Sequence, residues 1–184
     1  EELGITSPKD GCSPQGQCGC CTVLIDGKAQ VSCTMPLAKA AGRSITTLEG
    51  MDEAKVDRYA QTFAACGALQ CGFCTPGIVV RSMALVDRKG EALQRDEAAR
   101  HLGAHLCRCT GYVKILDAIE LYARCVRTGE TPELGTTGGV GADIPRYEGL
   151  AAVLGDRPYV ADLVRARMLH GAVVLSKHAR AKVV

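Results

Sequence analysis

Eleven cysteines among 184 residues are the chemistry-bearing feature of this chain, and their spacing is uneven. Cys12, Cys18, Cys21 and Cys33 form one set, with intervals of the form Cys12-x5-Cys18-x2-Cys21-x11-Cys33. Cys71-Gly72-Phe73-Cys74 and Cys107-Arg108-Cys109 form a second. Thiols this crowded suit convergence on a metal centre better than long-range crosslinks, and the odd count argues against a disulfide scaffold. Four thiolates serve either a structural zinc ion or an iron–sulfur cluster. The first set approaches the C-x4-C-x2-C run with a distant fourth cysteine that holds a plant-type 2Fe–2S cluster, with one extra residue in the first gap. Gly11, Gly16 and Gly19 are placed to let backbone amides turn inward toward sulfur. A CxxC redox pair of the thioredoxin type would need a βαβ setting, which is missing here. Zinc and 2Fe–2S both stay open at this level.

These thiols need elements to position them. Thr22-Val23-Leu24-Ile25 reads as a strand, the Asp26-Gly27 pair as a tight turn, and the stretch through Val31 as a return strand. The first cysteine loop therefore hangs on a β-hairpin. Val56, Tyr59, Ala60 and Phe63 recur at helical spacing, as do Ile115, Ala118, Ile119 and Tyr122. Val79, Met83 and Val86 make a third stripe, and residues 96–105 a shorter fourth helix. Threonine is the expected N-cap where Cys74 leads into Thr75-Pro76-Gly77 and where Cys109 leads into Thr110-Gly111-Tyr112. Each cysteine pair would then meet the positive end of a helix, which suits an anionic centre. Residues 128–145 carry five glycines and two prolines and read as a linker. Beyond them, residues 169–175 read as a strand, in a tail too small to bury its own core.

Composition removes other classes. Hydrophobic residues make up 47% and charged residues 23%, so neither disorder nor a fibre is expected. The longest apolar stretch, residues 77–86, is broken by Arg81 and does not reach membrane-spanning length. A net charge of +2 and 4% aromatic residues without tryptophan give no nucleic-acid footprint.

Three motifs in order carry a specific resemblance: Gly11-Cys12 through Cys18-Gly19-Cys20-Cys21-Thr22-Val23, then Cys71-Gly72-Phe73-Cys74-Thr75-Pro76-Gly77, then Leu106-Cys107-Arg108-Cys109-Thr110-Gly111-Tyr112. Over residues 1–127 the chain resembles the molybdenum hydroxylase family, which includes xanthine dehydrogenases, aldehyde oxidoreductases and aerobic carbon monoxide dehydrogenases. The resemblance implies an α+β chain. A plant-type ferredoxin domain of the β-grasp fold would span residues 1–50, N-terminally incomplete because the family's opening hairpin would precede Glu1. A four-helix domain would span residues 51–127, and each would hold one 2Fe–2S cluster. Ser44-Ile45-Thr46-Thr47-Leu48-Glu49-Gly50 resembles the family's join between them. After the linker, residues 146–184 resemble the start of the molybdenum-binding region (the hammerhead-like domain of aldehyde oxidases and xanthine dehydrogenases). Arg146, Gly149, Gly155, Tyr159, Asp162, Met168-Leu169-His170 and Ser176-Lys177-His178-Ala179 carry that match. No room is left for an intervening flavin domain.

The implied roles follow the motifs. Cys12, Cys18, Cys21 and Cys33 would ligate one cluster, and Cys71, Cys74, Cys107 and Cys109 the other. Gln70 would hydrogen-bond the molybdenum pterin, with Cys109 beside it. Electrons would leave the molybdenum centre, which lies outside this chain, and pass through both clusters to an external acceptor. Implied partners are the molybdenum-binding region of the same chain or a large subunit, that acceptor, and a second copy of the full enzyme. The implied location is cytoplasmic, with periplasmic export as the alternative. A stand-alone 2Fe–2S carrier that docks to a partner is the second functional reading, and a zinc-stabilised interaction module the third. Cys20, Cys66 and Cys125 are expected to be non-ligands, as are His105, His170 and His178. The chain departs from the family in the long Cys12–Cys18 gap, in Cys20 where a small residue is usual, and in Ala104-His105-Leu106 before Cys107. Substrate selection would lie beyond Val184.

Overall fold

The β-branched and aliphatic run Thr22–Ile25 forms strand β1 of the computed structural model, which describes residues 3–182. Residues 1–2 and 183–184, the outer ends of the first and last expected segments, lie outside it. Strand β2, Lys28–Val31, returns antiparallel with Thr22 opposite Val31 and Ile25 opposite Lys28. The two residues between them, Asp26 and Gly27, have φ of 48° and 74°. Such a turn matches the twist of paired strands and needs residues tolerant of positive φ. Asp26 also receives the Arg43 guanidinium at 2.7 Å and the Ser44 N–H at 3.0 Å. That grip draws strand β3, Ile45–Thr46, onto the other edge, for the order β2-β1-β3. A single-turn helix α1, Leu37–Ala40, connects β2 to β3.

The helical periods appear where the apolar spacing put them. Helix α2, Glu53–Cys66, starts at Asp52, whose carboxylate accepts the Lys55 N–H at 2.9 Å. It stops at Gly67, in the left-handed conformation that releases the chain from the helix. Helices α3 (Thr75–Lys89), α4 (Arg95–Leu102) and α5 (Val113–Thr128) follow. Helices α2 and α5 pack face to face and bring the Tyr59 and Tyr122 ring centroids to 4.2 Å. Both rings are fully buried, with Phe63, Ile78, Val79 and Met83 around them. The Tyr59 hydroxyl donates to Ser82, which in turn donates to the Ile78 carbonyl at 2.5 Å. Helix α3 also lies against β1, so sheet and helices share one core. The chain is α+β, a small sheet with several helices.

Beyond α5 the backbone runs without regular structure to residue 148 and then forms a short helix α6, Gly149–Leu154. Val153 and Ala152 bury that helix against α2 and α3. The strand expected at residues 169–175 does not form. Leu169, Val173, Val174 and Leu175 are exposed, and no described strand lies alongside to complete their backbone hydrogen bonds. Among the described residues no helix is long and apolar enough to cross a membrane.

Glu49 secures the segment that leads into the first cysteine loop. Its carboxylate accepts the Thr6 and Ser7 N–H groups, each at 2.7 Å, and the Ser7 hydroxyl at 2.7 Å. Partial burial pushes this carboxyl up, but the Thr47 and Ser7 donors outweigh it and hold it at about 2. A carboxyl depressed in this way adds stability above the ordinary carboxylate pKa and loses it as pH falls toward 2. Solvent screening at this exposed group limits the gain to about 1 kcal/mol. Glu49→Gln is therefore expected to speed deuterium exchange at Thr6 and Ser7 at neutral pH. The difference from wild type should close as pH falls from about 4.5 toward 2. A pH-independent difference would rule out the charged hydrogen bonds as its source.

Candidate metal centre

In the first cysteine loop, Gly16 and Gly19 take φ of 69° and 70°, turning the backbone around Cys12 and Cys18. The Gln15 N–H points at the Cys12 sulfur at 3.3 Å. Backbone N–H groups of Gln17, Gln15 and Cys18 stabilise that thiolate and hold its pKa at about 6. The hairpin supplies the fourth thiol. Ser32 donates from both its N–H (3.2 Å) and its hydroxyl (2.9 Å) to the Cys21 carbonyl, which sets Cys33 beside Cys21. Cys12 lies against Cys18 and Cys21 against Cys33, and Cys20 also reaches Cys18. All four line one cavity of about 360 Å³.

Two loops deliver the second set. The Cys71–Cys74 loop closes with the Thr75 N–H on the Gly72 carbonyl at 3.1 Å. Cys74 itself, not Thr75, is the N-cap of α3, and Thr75 and Pro76 open the helix, so the expected cap is one residue late. Thr110 is not the cap of α5 either; that position is Tyr112, at φ 67°. The Thr110 hydroxyl instead accepts the Tyr112 N–H at 3.1 Å and lies 3.1 Å from the Cys107 sulfur. Tyr112 reaches back to donate to the His105 carbonyl and accept the Cys107 N–H, both at 2.9 Å. Threonine served the turn that carries a sulfur because the helix start moved to where the tyrosine could lock that turn.

Here too the thiols pair. Cys71 and Cys109 sulfurs are 3.8 Å apart, and Cys74 meets Cys107. Burial pushes the Cys74 thiol up. At Cys107 burial acts the same way, but the Thr110 hydroxyl and the Cys109 and Thr110 N–H groups outweigh it and hold that thiol below its ordinary value. Gln70 donates its amide to the Cys109 carbonyl at 2.9 Å, so the two residues singled out for the pterin stand together. Gln70, Cys71 and Cys109 are exposed, whereas Cys74 and Cys107 are buried.

The two sets adjoin. A cavity of about 180 Å³ is lined by Cys18 and Cys20 on one side and Cys71, Cys74 and Cys109 on the other. Leu106 donates its N–H to the Cys18 carbonyl at 2.9 Å, which ties the second loop directly to the first. His105, buried beyond the end of α4, accepts from the Arg81 Nε–H at 2.6 Å. Its burial, with the Arg81 charge, pushes it down to about 3, so it is a neutral packing residue. Cys20 is buried, which pushes its thiol up to about 12. Cys66 and Cys125 sit on α2 and α5, and His170 and His178 are exposed in the tail.

The donor sets fit an iron–sulfur group. Two sulfurs on one tetrahedral metal stand about 3.8 Å apart for a metal–sulfur bond of about 2.3 Å, the separation of Cys71 and Cys109. Pairs of thiols suit a two-metal core, each pair on one metal.

Residues 47–120 match the family described as the [2Fe-2S] binding domain. The nicotinate dehydrogenase small FeS subunit of Eubacterium barkeri is 41% identical over 120 residues, 65% of this chain and 75% of that subunit. The aldehyde oxidoreductase of Megalodesulfovibrio gigas is 35% identical across 100% of this chain, which spans 21% of that enzyme. The crystal structure of the aldehyde oxidoreductase from Desulfovibrio desulfuricans superposes with a TM-score of 0.76 at 35% identity, covering 88% of this chain and 19% of the enzyme. The chain thus spans most of a small subunit but about a fifth of the fused enzymes. Paired thiols, a 2Fe–2S domain match and these relatives agree: the chain belongs to the xanthine dehydrogenase and aldehyde oxidoreductase family, as its iron–sulfur electron-transfer part.

Proposed function

We propose that the chain holds two 2Fe–2S clusters, one on Cys12, Cys18, Cys21 and Cys33 and one on Cys71, Cys74, Cys107 and Cys109, and serves a molybdenum-dependent hydroxylase. The two-by-two convergence of both thiol sets on either side of a shared cavity carries this reading. Residues 1–50 then act as a β-grasp ferredoxin unit and residues 51–127 as the four-helix unit. Residues 128–145 link them to the start of a molybdenum-binding region at 146–184. Once bound, the clusters supply one-electron redox chemistry.

The chain's own residues prepare each site. The N–H groups around Cys12 and the Thr110 hydroxyl beside Cys107 offset negative charge on sulfur, and hydrogen bonds of this kind raise a cluster's potential. Cys74 adds the positive end of α3. Burial of Cys18, Cys21, Cys74 and Cys107 keeps water from half of the sulfurs. Exposed Gln70 and Cys109 form the face that meets the molybdenum pterin, borne by the downstream region or by a large subunit. Electrons pass on from the clusters to an external acceptor.

Metal and sulfide analysis of the purified full-length protein tests the reading. The expected result is two irons and two acid-labile sulfides per thiol set, with two distinct paramagnetic signals on reduction. A colourless, zinc-loaded protein would overturn it.

A further inference from the structure

Tyr159 lies outside every cysteine motif, yet it reaches the second thiol set. Its hydroxyl donates to the Cys71 carbonyl at 3.1 Å, and its ring packs on Phe73 with centroids 5.8 Å apart. Phe73 stands between the two cysteines of that loop. The backbone that carries Tyr159 is itself held, because its N–H donates to the Asp162 carboxylate at 2.7 Å. Just before it, α6 presses on the same loop. A Cβ on Gly72 would sit 2.9 Å from the Ala152 carbonyl, and one on Gly155 would sit 3.1 Å from both Pro76 and Ser7.

Lys9 closes the arrangement from the first cysteine loop. Its N–H donates to the Cys20 carbonyl at 3.0 Å. Its amine donates to the Thr6 and Gly155 carbonyls at 2.8 and 3.4 Å and lies 5.7 Å from the centre of the Tyr159 ring. That places a cation on an aromatic face. A residue near Cys12, the Cys71–Cys74 loop and the segment after the linker thus meet at one aromatic ring.

We infer that Tyr159 is a positioning residue for the cluster on Cys71, Cys74, Cys107 and Cys109, fixing the Cys71 carbonyl by hydrogen bond and covering Phe73 and the loop with its ring. The inference rests on the cluster assignment proposed above. Two separable effects follow from the two parts of the side chain. The hydroxyl directs a positive dipole at a carbonyl whose residue is a ligand, which favours the more negative reduced state. The ring packs on Phe73, the half-buried side chain between the two cysteines of the loop.

Redox titration of the full chain, followed by electron paramagnetic resonance, tests the hydroxyl. Tyr159→Phe keeps the ring and is expected to shift the midpoint potential of the second-set cluster negative, leaving the first-set cluster unchanged. Tyr159→Ala removes the ring, and iron release from the second set to a chelator should become several-fold faster, with the first set unaltered. Unmoved potentials in Tyr159→Phe, or an equal shift in both clusters, would overturn the inference while leaving the cluster assignment intact. A wild-type protein with fewer than two cluster signals would instead sink the assignment and this inference with it.

Discussion

Replacing Cys107 with alanine is expected to abolish one of two reduced-state paramagnetic signals and leave the other near full intensity. Cys107 is 8% exposed, its N–H is held by Tyr112, and its sulfur is shared between Cys74 and the Thr110 hydroxyl. Alanine removes the ligand with no oxygen to replace it, and Cys74 loses its paired sulfur. The tie between the two loops runs through the Leu106 backbone N–H and not the Cys107 side chain, and the first-set sulfurs find their partners within their own loop and hairpin. Iron content should fall by half. Loss of both signals would count against two independent sites, and retention of both would remove Cys107 from the ligand set.

The second large effect is expected at Gly19. A methyl group there would run into the His105 ring and stand 2.6 Å from the Ala104 carbonyl. Neither neighbour can yield easily, since the adjoining Leu106 N–H is bonded to the Cys18 carbonyl and Arg81 pins the other side of His105. Positive φ adds about 1 kcal/mol for a residue with a Cβ, and forced overpacking adds about 1–3 kcal/mol. Gly19→Ala should thus destabilise the protein by about 2–4 kcal/mol, read as the urea midpoint, and perturb both signals because the two loops meet there. Gly27→Ala is the control. Gly27 has φ 74° but open space around it, so only the conformational cost of about 1 kcal/mol applies. Equal losses at the two positions would show that the loop junction is not sterically tight.

Much of the site was readable along the chain because its signals are local. A cysteine spacing, the Asp26-Gly27 turn and the apolar stripes of α2, α3 and α5 each span a few turns of backbone, where φ/ψ preference and periodicity act directly. The failures were also local in form but not in cause. Thr75 and Thr110 have the chemistry of N-caps, yet Cys74 and Tyr112 take those positions once the loops are drawn to the opposing thiols. Residues 169–175 have strand propensity, but a strand needs a neighbour to complete its backbone hydrogen bonds, and propensity cannot supply one.

Residue order alone was therefore enough to identify the family, since residue type and interval are encoded within each short motif. Which sulfur faces which, and how closely the two sets adjoin, came from packing between distant segments. Leu106 on Cys18, Gly19 against His105, and Tyr159 on Cys71 join residues 88 apart at the two positions of that last pair. Contacts of that separation leave no periodic trace in a sequence. They arise only when a shared core brings α3, β1, α6 and the cysteine loops to one place.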